Sequence, residues 1–222
     1  MFKKKFCYLF LLMACQQAKN SDPQTQSLEA ASSSKNASEY KILVLGDSLT
    51  EGYRLNPRKA FPHLLEVKLR EKFKNRELKY TVINAGISGS TSAGALKRFE
   101  WQLKAKPQFL ILALGANDAL RGLDPKNTKA NLKAVIQEAQ KFEIKILLAG
   151  IVSPQNYGRK YKKAFDKIYR ELSEEHDLKL FPFLLKDVAG ISRLNLSDGI
   201  HPNEKGHEVI AQNLFPIVVE ML

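Results

Sequence analysis

Cysteine is nearly absent from this chain. The two that occur, Cys7 and Cys15, both lie near the N-terminus. Neither a disulfide framework nor a thiol zinc site can be built in the rest of the chain. Long apolar runs are missing as well. The one conspicuous run, Phe6 to Ala14, has nine residues, whereas a spanning helix needs about 20. Acidic residues are outnumbered, 23 against 35 Lys and Arg, and the formal charge is +12. That excess favours anionic surfaces and says nothing about fold. No internal repeat is visible, no Gly-x-x-x-x-Gly-Lys-Ser/Thr phosphate loop, and no spacing of paired carboxylates or metal ligands. Gly86 and Gly89 lack the third glycine and the downstream acid of a dinucleotide fingerprint. A multi-pass membrane protein, a collagen and a coiled coil are excluded by composition. What is present is a globular balance, 44% hydrophobic and 26% charged over 222 residues, about one domain's worth.

The N-terminus reads as an address. Lys3, Lys4 and Lys5 precede the apolar run, which is too short to span a bilayer and suits a signal-peptide core. It ends Leu12-Met13-Ala14-Cys15, which resembles the lipobox of bacterial lipoproteins. That resemblance implies a signal over 1–14, an acylated Cys15 as the new N-terminus, and export across the inner membrane to a membrane facing the periplasm or cell exterior. A plain secretory signal cleaved nearby is the alternative. Residues 16–39 are Gln-, Ser-, Ala-, Asn- and Lys-rich, with Leu28 the only large apolar side chain. Too little surface can be buried there to offset the ordering entropy, so 15–39 reads as a lipidated tether.

The remainder, 40–222, alternates strand and helix. Apolar runs predict buried strands at 41–46, 109–114 and 145–150, with shorter strands at 80–83 and 178–181. Helical spacing covers 60–74, 92–104, 127–142 and 158–176. A last helix starts near Asn203, with Pro216 expected to kink or break it. This alternation predicts an α/β fold: a three-layer α/β/α sandwich around a five-stranded, mostly parallel sheet. Sheets of this kind bind ligands at the carboxyl ends of their strands. The informative residues are therefore those that follow each strand.

After the first strand stands Gly46-Asp47-Ser48-Leu49-Thr50, and after the second Asn84-Ala85-Gly86-Ile87-Ser88-Gly89-Ser90-Thr91. Gly115-Ala116-Asn117-Asp118 follows the third, and Asp198-Gly199-Ile200-His201-Pro202 lies on a long loop after the fifth. One edge thus receives a serine, a glycine-rich turn, an asparagine and an Asp/His pair. A nucleophile, donors, a base and its orienter make up an acyl-transfer set. With four blocks in order, the stretch resembles the SGNH (GDSL) hydrolase family. Gly46–Tyr53, Leu114–Gly122 and Asn156–Tyr161 bring it nearest to the bacterial thioesterase I, lysophospholipase and arylesterase group.

The resemblance implies the flavodoxin-like SGNH fold and Ser48 as nucleophile, where the bland alternative is a helix cap. Thr50 occupies the second glycine of a Gly-x-Ser-x-Gly elbow, which argues for a serine on a short helical turn. Asp47 reads as structural. Among four histidines, only His201 lies on a loop three residues after an aspartate, and it is expected to be the general base. Asp198 would hold its tautomer, the alternative being a turn cap. His63 falls inside a helix, His176 at a helix end, and His207 in the last helix, from where it could line the site. The family's oxyanion donors map to the Ser48 N–H, the Gly89 N–H and the Asn117 side chain, with Gly86 the neighbouring candidate and more suited to a turn. Ser88, Ser90 and Thr91 read as turn and cap residues, and Ala119 to Asp124 as one wall of the acyl site.

No cofactor and no metal is called for. The expected substrates are acyl esters, thioesters and lysophospholipids, handled by a monomer with no nucleic-acid partner. The basic clusters Lys68–Lys74 and Arg159–Lys163 read as solvated helix faces, or else as contacts to anionic lipid. Two rivals stand: a carbohydrate O-acetyl esterase on the same fold, and a non-catalytic lipid-binding lipoprotein.

Overall fold

The computed structural model describes residues 38–222. The signal sequence, Cys15 and nearly all of the tether fall outside these residues.

The elements run β1 (Glu39–Gly46), α1 (Ser48–Glu51), α2 (Phe61–Lys72), β2 (Lys79–Gly86), α3 (Ala95–Gln102), β3 (Phe109–Ala113), α4 (Ala116–Leu120), α5 (Pro125–Lys141), β4 (Lys145–Ala149), α6 (Gly158–Asp166), α7 (Ile168–His176), β5 (Lys179–Phe181) and α8 (Glu204–Met221). The strands lie in the order β2-β1-β3-β4-β5. Every pairing is parallel, so the sheet is wholly rather than mostly parallel. Helix α2 packs on α8 and β2, while α3, α5 and α7 pack in series, which gives two helical layers around the sheet.

Strands β1 and β3 lie inside the sheet and are covered on both faces. Ile42 to Leu45 and Phe109 to Ala113 are therefore fully buried, which is why they read as continuous apolar runs. Full burial of one such Leu or Ile contributes about 1.5–3 kcal/mol. Phe61, Phe99 and Phe165 fill the gaps between sheet and helices.

Three expectations change. Residues 158–176 form two helices separated at Lys167. The buried stripe Phe165, Ile168, Tyr169 and Leu172 keeps helical spacing across that break, so periodicity could not show it. Helix α8 runs through Pro216 without interruption. Pro216 and Gln212, whose carbonyl loses its N–H partner, are both exposed, and water can serve that carbonyl. Strand β2 extends to Gly86, so Asn84 to Gly86 belong to the strand. Gly86 serves a close approach and not a turn, since a Cβ there would overlap the backbone N of Glu51.

The topology positions the site. The chain leaves β1 and β3 toward opposite sides, and the crevice between their carboxyl ends is where such sheets take ligands. Ser48 begins the helix after β1, and Asn117 lies in the helix after β3.

Candidate active site

The Asp47 side chain caps α1, with Oδ1 accepting the Leu49 N–H at 3.0 Å. Its carbonyl accepts from Thr50 and Glu51 at 3.1 and 2.9 Å. The structural reading of Asp47 is thus realised, and Ser48 sits at the first position of a short helical turn. Asp47 is fully buried, and burial raises its carboxyl to about 7, against the pull of the Leu49 N–H.

The loop carrying Asp198 and His201 is braced by its own backbone and by two asparagines. Leu196 N–H donates to the His201 carbonyl at 2.7 Å, and Gly199 N–H to that of Leu196 at 2.9 Å. The Asn195 amide donates to the Val188 and Ile191 carbonyls at 2.8 and 2.9 Å. The Asn203 amide donates to the Arg193 carbonyl at 3.0 Å, while its oxygen caps α8 through Gly206 N–H.

Asp198 Oδ1 accepts the backbone N–H groups of Ile200 and His201, both at 3.0 Å. Oδ2 lies 2.8 Å from His201 Nδ1, and His201 Nε2 lies 3.0 Å from Ser48 Oγ. The His201 backbone N–H, the Ile200 N–H and then the imidazole hold the Asp198 carboxyl at about 2. An ionised Asp198 fixes the imidazole proton on Nδ1 and leaves Nε2 to accept from the serine hydroxyl. Tyr53, whose ring centroid is 4.4 Å from that of His201, covers the imidazole on one side.

Three donors border the same cleft: Ser48, Gly89 and Asn117. Among the described residues, the N–H groups of Ser48 and Gly89 and the Asn117 amide have no acceptor. Unspent donors lining the same cleft as the serine suit a developing oxyanion. Asp118 anchors the asparagine from below. Its carboxylate accepts the Ser92 N–H and hydroxyl at 2.9 and 2.5 Å and the Thr128 hydroxyl at 3.2 Å.

The cleft has a volume of about 620 Å³. Its apolar lining comes from Leu49, Ala119, Ile151, Val152, Phe183 and Leu185, among others. Of the expected wall 119–124, only Ala119 and Leu120 line it. The Leu123 carbonyl accepts the Tyr161 hydroxyl, and Asp124 caps α5. Sequence reasoning missed Tyr53 and the segments after β4 and β5. Ile151 and Val152, apolar residues directly after a strand, were the available signal.

His207 does not reach the cleft. It is buried under the ring of Phe61, and its Nδ1 accepts the Phe61 N–H at 3.1 Å. Burial lowers its pKa to about 4, with the His201 charge a smaller cause. Because the folded value lies below the unfolded one, this neutral histidine contributes stability above about pH 6.5 that is lost as pH falls through about 4. The expected loss is about 3 kcal/mol. Asp47, raised rather than lowered, has the opposite sign and cancels when a variant is compared with wild type. Urea unfolding at several pH values should therefore show His207→Asn losing less stability than wild type between pH 6.5 and 4.

A hydroxyl, an imidazole and a carboxylate in line, with free N–H donors beside the hydroxyl, are the working parts of a serine hydrolase. The opening of this relay on an apolar cleft suits carboxylic esters. Comparison with known proteins agrees and narrows the class. Residues 44–209 match the GDSL-like Lipase/Acylhydrolase family, and the chain belongs to that family. It is 39% identical over 171 residues to the thioesterase 1/protease 1/lysophospholipase of Escherichia coli, covering 77% of this chain and 79% of that one. To the esterase TesA of Pseudomonas aeruginosa it is 35% identical over 187 residues, 84% of this chain and 91% of the relative. The crystal structure of the psychrotrophic esterase EstA from Pseudoalteromonas, inhibited by monoethylphosphonate, superposes with a TM-score of 0.74 at 34% identity, covering 82% of this chain and 97% of that one. The protein is a carboxylic-ester hydrolase of the SGNH type.

Proposed function

We propose that Ser48, His201 and Asp198 carry the hydrolysis of medium- and long-chain acyl esters, with lysophospholipids among the substrates. The observation that carries this reading is the Ser48–His201–Asp198 relay at the floor of an apolar cleft. Ser48 Oγ attacks the acyl carbonyl while His201 Nε2 takes its proton. The carbonyl oxygen, now anionic, receives hydrogen bonds from the Ser48 and Gly89 N–H groups and the Asn117 amide. The C–O or C–S bond breaks, and His201 returns the proton to the leaving alcohol or thiol. Water then gives its proton to His201 and adds to the acyl-enzyme, which releases the acid and restores Ser48.

The cleft volume and the apolar wall from Ile151 to Leu185 favour an acyl chain over acetate. Exposed apolar side chains at the mouth favour a lipid over a sugar. Leu120, Val152 and Ile200 line the cleft and yet are 42%, 43% and 46% exposed. The relatives named as lysophospholipase and esterase support the same choice. The deciding assay is hydrolysis of p-nitrophenyl esters from acetyl to palmitoyl, followed by lysophosphatidylcholine. The specificity constant is expected to rise from acetate to the medium chains, with fatty acid released from the lysolipid. Cleavage confined to acetate would transfer the reading to an O-acetyl esterase.

We also infer attachment to a membrane through an acylated Cys15, supported by the lysine-flanked apolar run and the Leu-Met-Ala-Cys end. Metabolic labelling with a fatty acid should mark the wild-type protein and leave Cys15→Ser unlabelled. Equal labelling of both would remove the anchor.

A further inference from the structure

The loop after β2 reaches the cleft with little to hold it. Ile87, Ser88 and Gly89 are all exposed, and Gly89 has φ +76°, the left-handed region, with no side chain to pack. Within the loop, one turn bond joins Ser90 N–H to the Ile87 carbonyl at 3.1 Å. Its start is joined to the end of β1 by a long bond from Ile87 N–H to the Gly46 carbonyl at 3.4 Å, and the bonds that reach Ser88 and Gly89 from outside come from two charged side chains.

Glu51 holds one side. Its Oε2 accepts the Ser88 N–H at 2.7 Å and also the Ser88 hydroxyl. Glu51 is the last residue of α1, the helix that begins with Ser48. Arg121 holds the other side, with Nη2 donating to the Gly89 carbonyl at 3.0 Å. The backbone N–H of Arg121 donates to the Asn117 carbonyl at 3.1 Å. A single arginine thus ties the backbone of Asn117 to that of Gly89.

These bonds bracket one peptide unit. The N–H of Gly89 belongs to the planar peptide between residues 88 and 89. Glu51 holds the peptide before it and Arg121 the peptide after it. Both ends of the unit are thereby fixed, one to the element carrying Ser48 and the other to the element carrying Asn117. Glycine resists displacement poorly, because it has no rotamer to lock and a wide range of backbone conformations.

We propose that Glu51 and Arg121 are positioning residues, a two-sided clamp that sets the distance of the Gly89 N–H from the other two oxyanion donors. The inference rests on the site assignment made under the proposed function. Neither residue lines the cleft. Each acts by preventing the loop from moving as a body, and electrostatic stabilisation of a transition state depends on donors already in place.

The test uses Arg121→Ala, Arg121→Lys, Glu51→Ala and the Arg121/Glu51 double alanine variant, with Ser48→Ala alongside. Loss of a whole oxyanion donor lowers turnover about 10²–10³-fold. Each single alanine variant should lose part of that, about 10-fold in kcat, with KM within about twofold. Arg121→Lys, which keeps a cationic donor, should fall between wild type and alanine. Because both clamps serve one donor, the double variant should lose no more than that donor is worth, about 10²–10³-fold. An alkyl boronic acid, which forms a tetrahedral adduct on the serine, should bind more weakly in step with kcat/KM. The thermal midpoint should stay near that of wild type. Unchanged kcat in Arg121→Ala and Glu51→Ala overturns the clamp, as does a raised KM at unchanged kcat, which would make Arg121 a substrate contact. Full activity in Ser48→Ala would overturn the site assignment itself. A dead Ser48→Ala beside fully active clamp variants overturns the clamp alone.

Discussion

Ser48→Ala is expected to lower hydrolysis of a medium-chain p-nitrophenyl ester by at least about 10⁴-fold. The Ser48 hydroxyl is placed to form a covalent bond while its proton goes to His201 Nε2, 3.0 Å away. Without it, His201 retains an unoccupied Nε2 and the donors proposed for the oxyanion remain, so only water attack inside the cleft is expected to survive. Substrate affinity should change little, because the apolar walls from Leu49 to Leu185 are untouched. Folding should also survive. The helix cap at this turn is made by Asp47, and Ser48 lends no side-chain bond to it. Steady-state kinetics, together with labelling by a fluorophosphonate probe, reads both points. Retained labelling and turnover in Ser48→Ala would exclude the assigned nucleophile.

Asp198→Asn should lower kcat by about 10²–10⁴-fold while leaving the fold and the shape of the site in place. Its carboxylate performs two jobs with different oxygens. Oδ1 closes the turn through the Ile200 and His201 N–H groups, and an asparagine oxygen can do the same. Oδ2 accepts from His201 Nδ1 at 2.8 Å, where an asparagine would present N–H groups. The imidazole then keeps its lone pair on Nδ1 and carries its proton on Nε2, facing the serine hydroxyl with a donor where an acceptor is needed. Charge matters as well, since an imidazolium formed during attack loses its anionic neighbour. The depressed carboxyl, at about 2, keeps wild-type Asp198 ionised at every pH where the enzyme would be assayed. Its contribution to stability is present above the unfolded value near 4 and fades as pH falls through about 2. Activity measured from pH 5 to 9, with a thermal melt at each pH, separates lost catalysis from lost structure. Wild-type turnover in Asp198→Asn would leave this aspartate as a turn cap only.

The placement of the candidate site was legible in the sequence because its parts follow strands. Ser48, Gly89 and Asn117 stand within a few residues of the ends of β1, β2 and β3, and a parallel sheet brings such ends together. Asp198 and His201 were legible for a different reason. A spacing of three on a loop lets one carboxylate accept two backbone N–H groups and the imidazole at once.

Other features had no local signal. The break at Lys167 is hidden under an unbroken apolar stripe. The continuity of α8 past Pro216 depends on which side of the helix faces water. His207 sits six residues from His201, yet its ring lies under Phe61, remote in sequence, and not in the cleft.

The sequence by itself determined the α/β class, the strand-end position of the functional residues and the chemistry they can perform, because hydrophobic period and turn spacing are local properties. Only the tertiary structure decided the cleft walls at Ile151 and Phe183, the covering of His201 by Tyr53, and the two side chains that hold Ser88 and Gly89. Glu51 and Arg121 are ordinary exposed charges in the linear chain. They acquire a role only when α1, the loop after β2 and α4 meet at one edge of the sheet, where a hydrogen bond can join residues tens of positions apart.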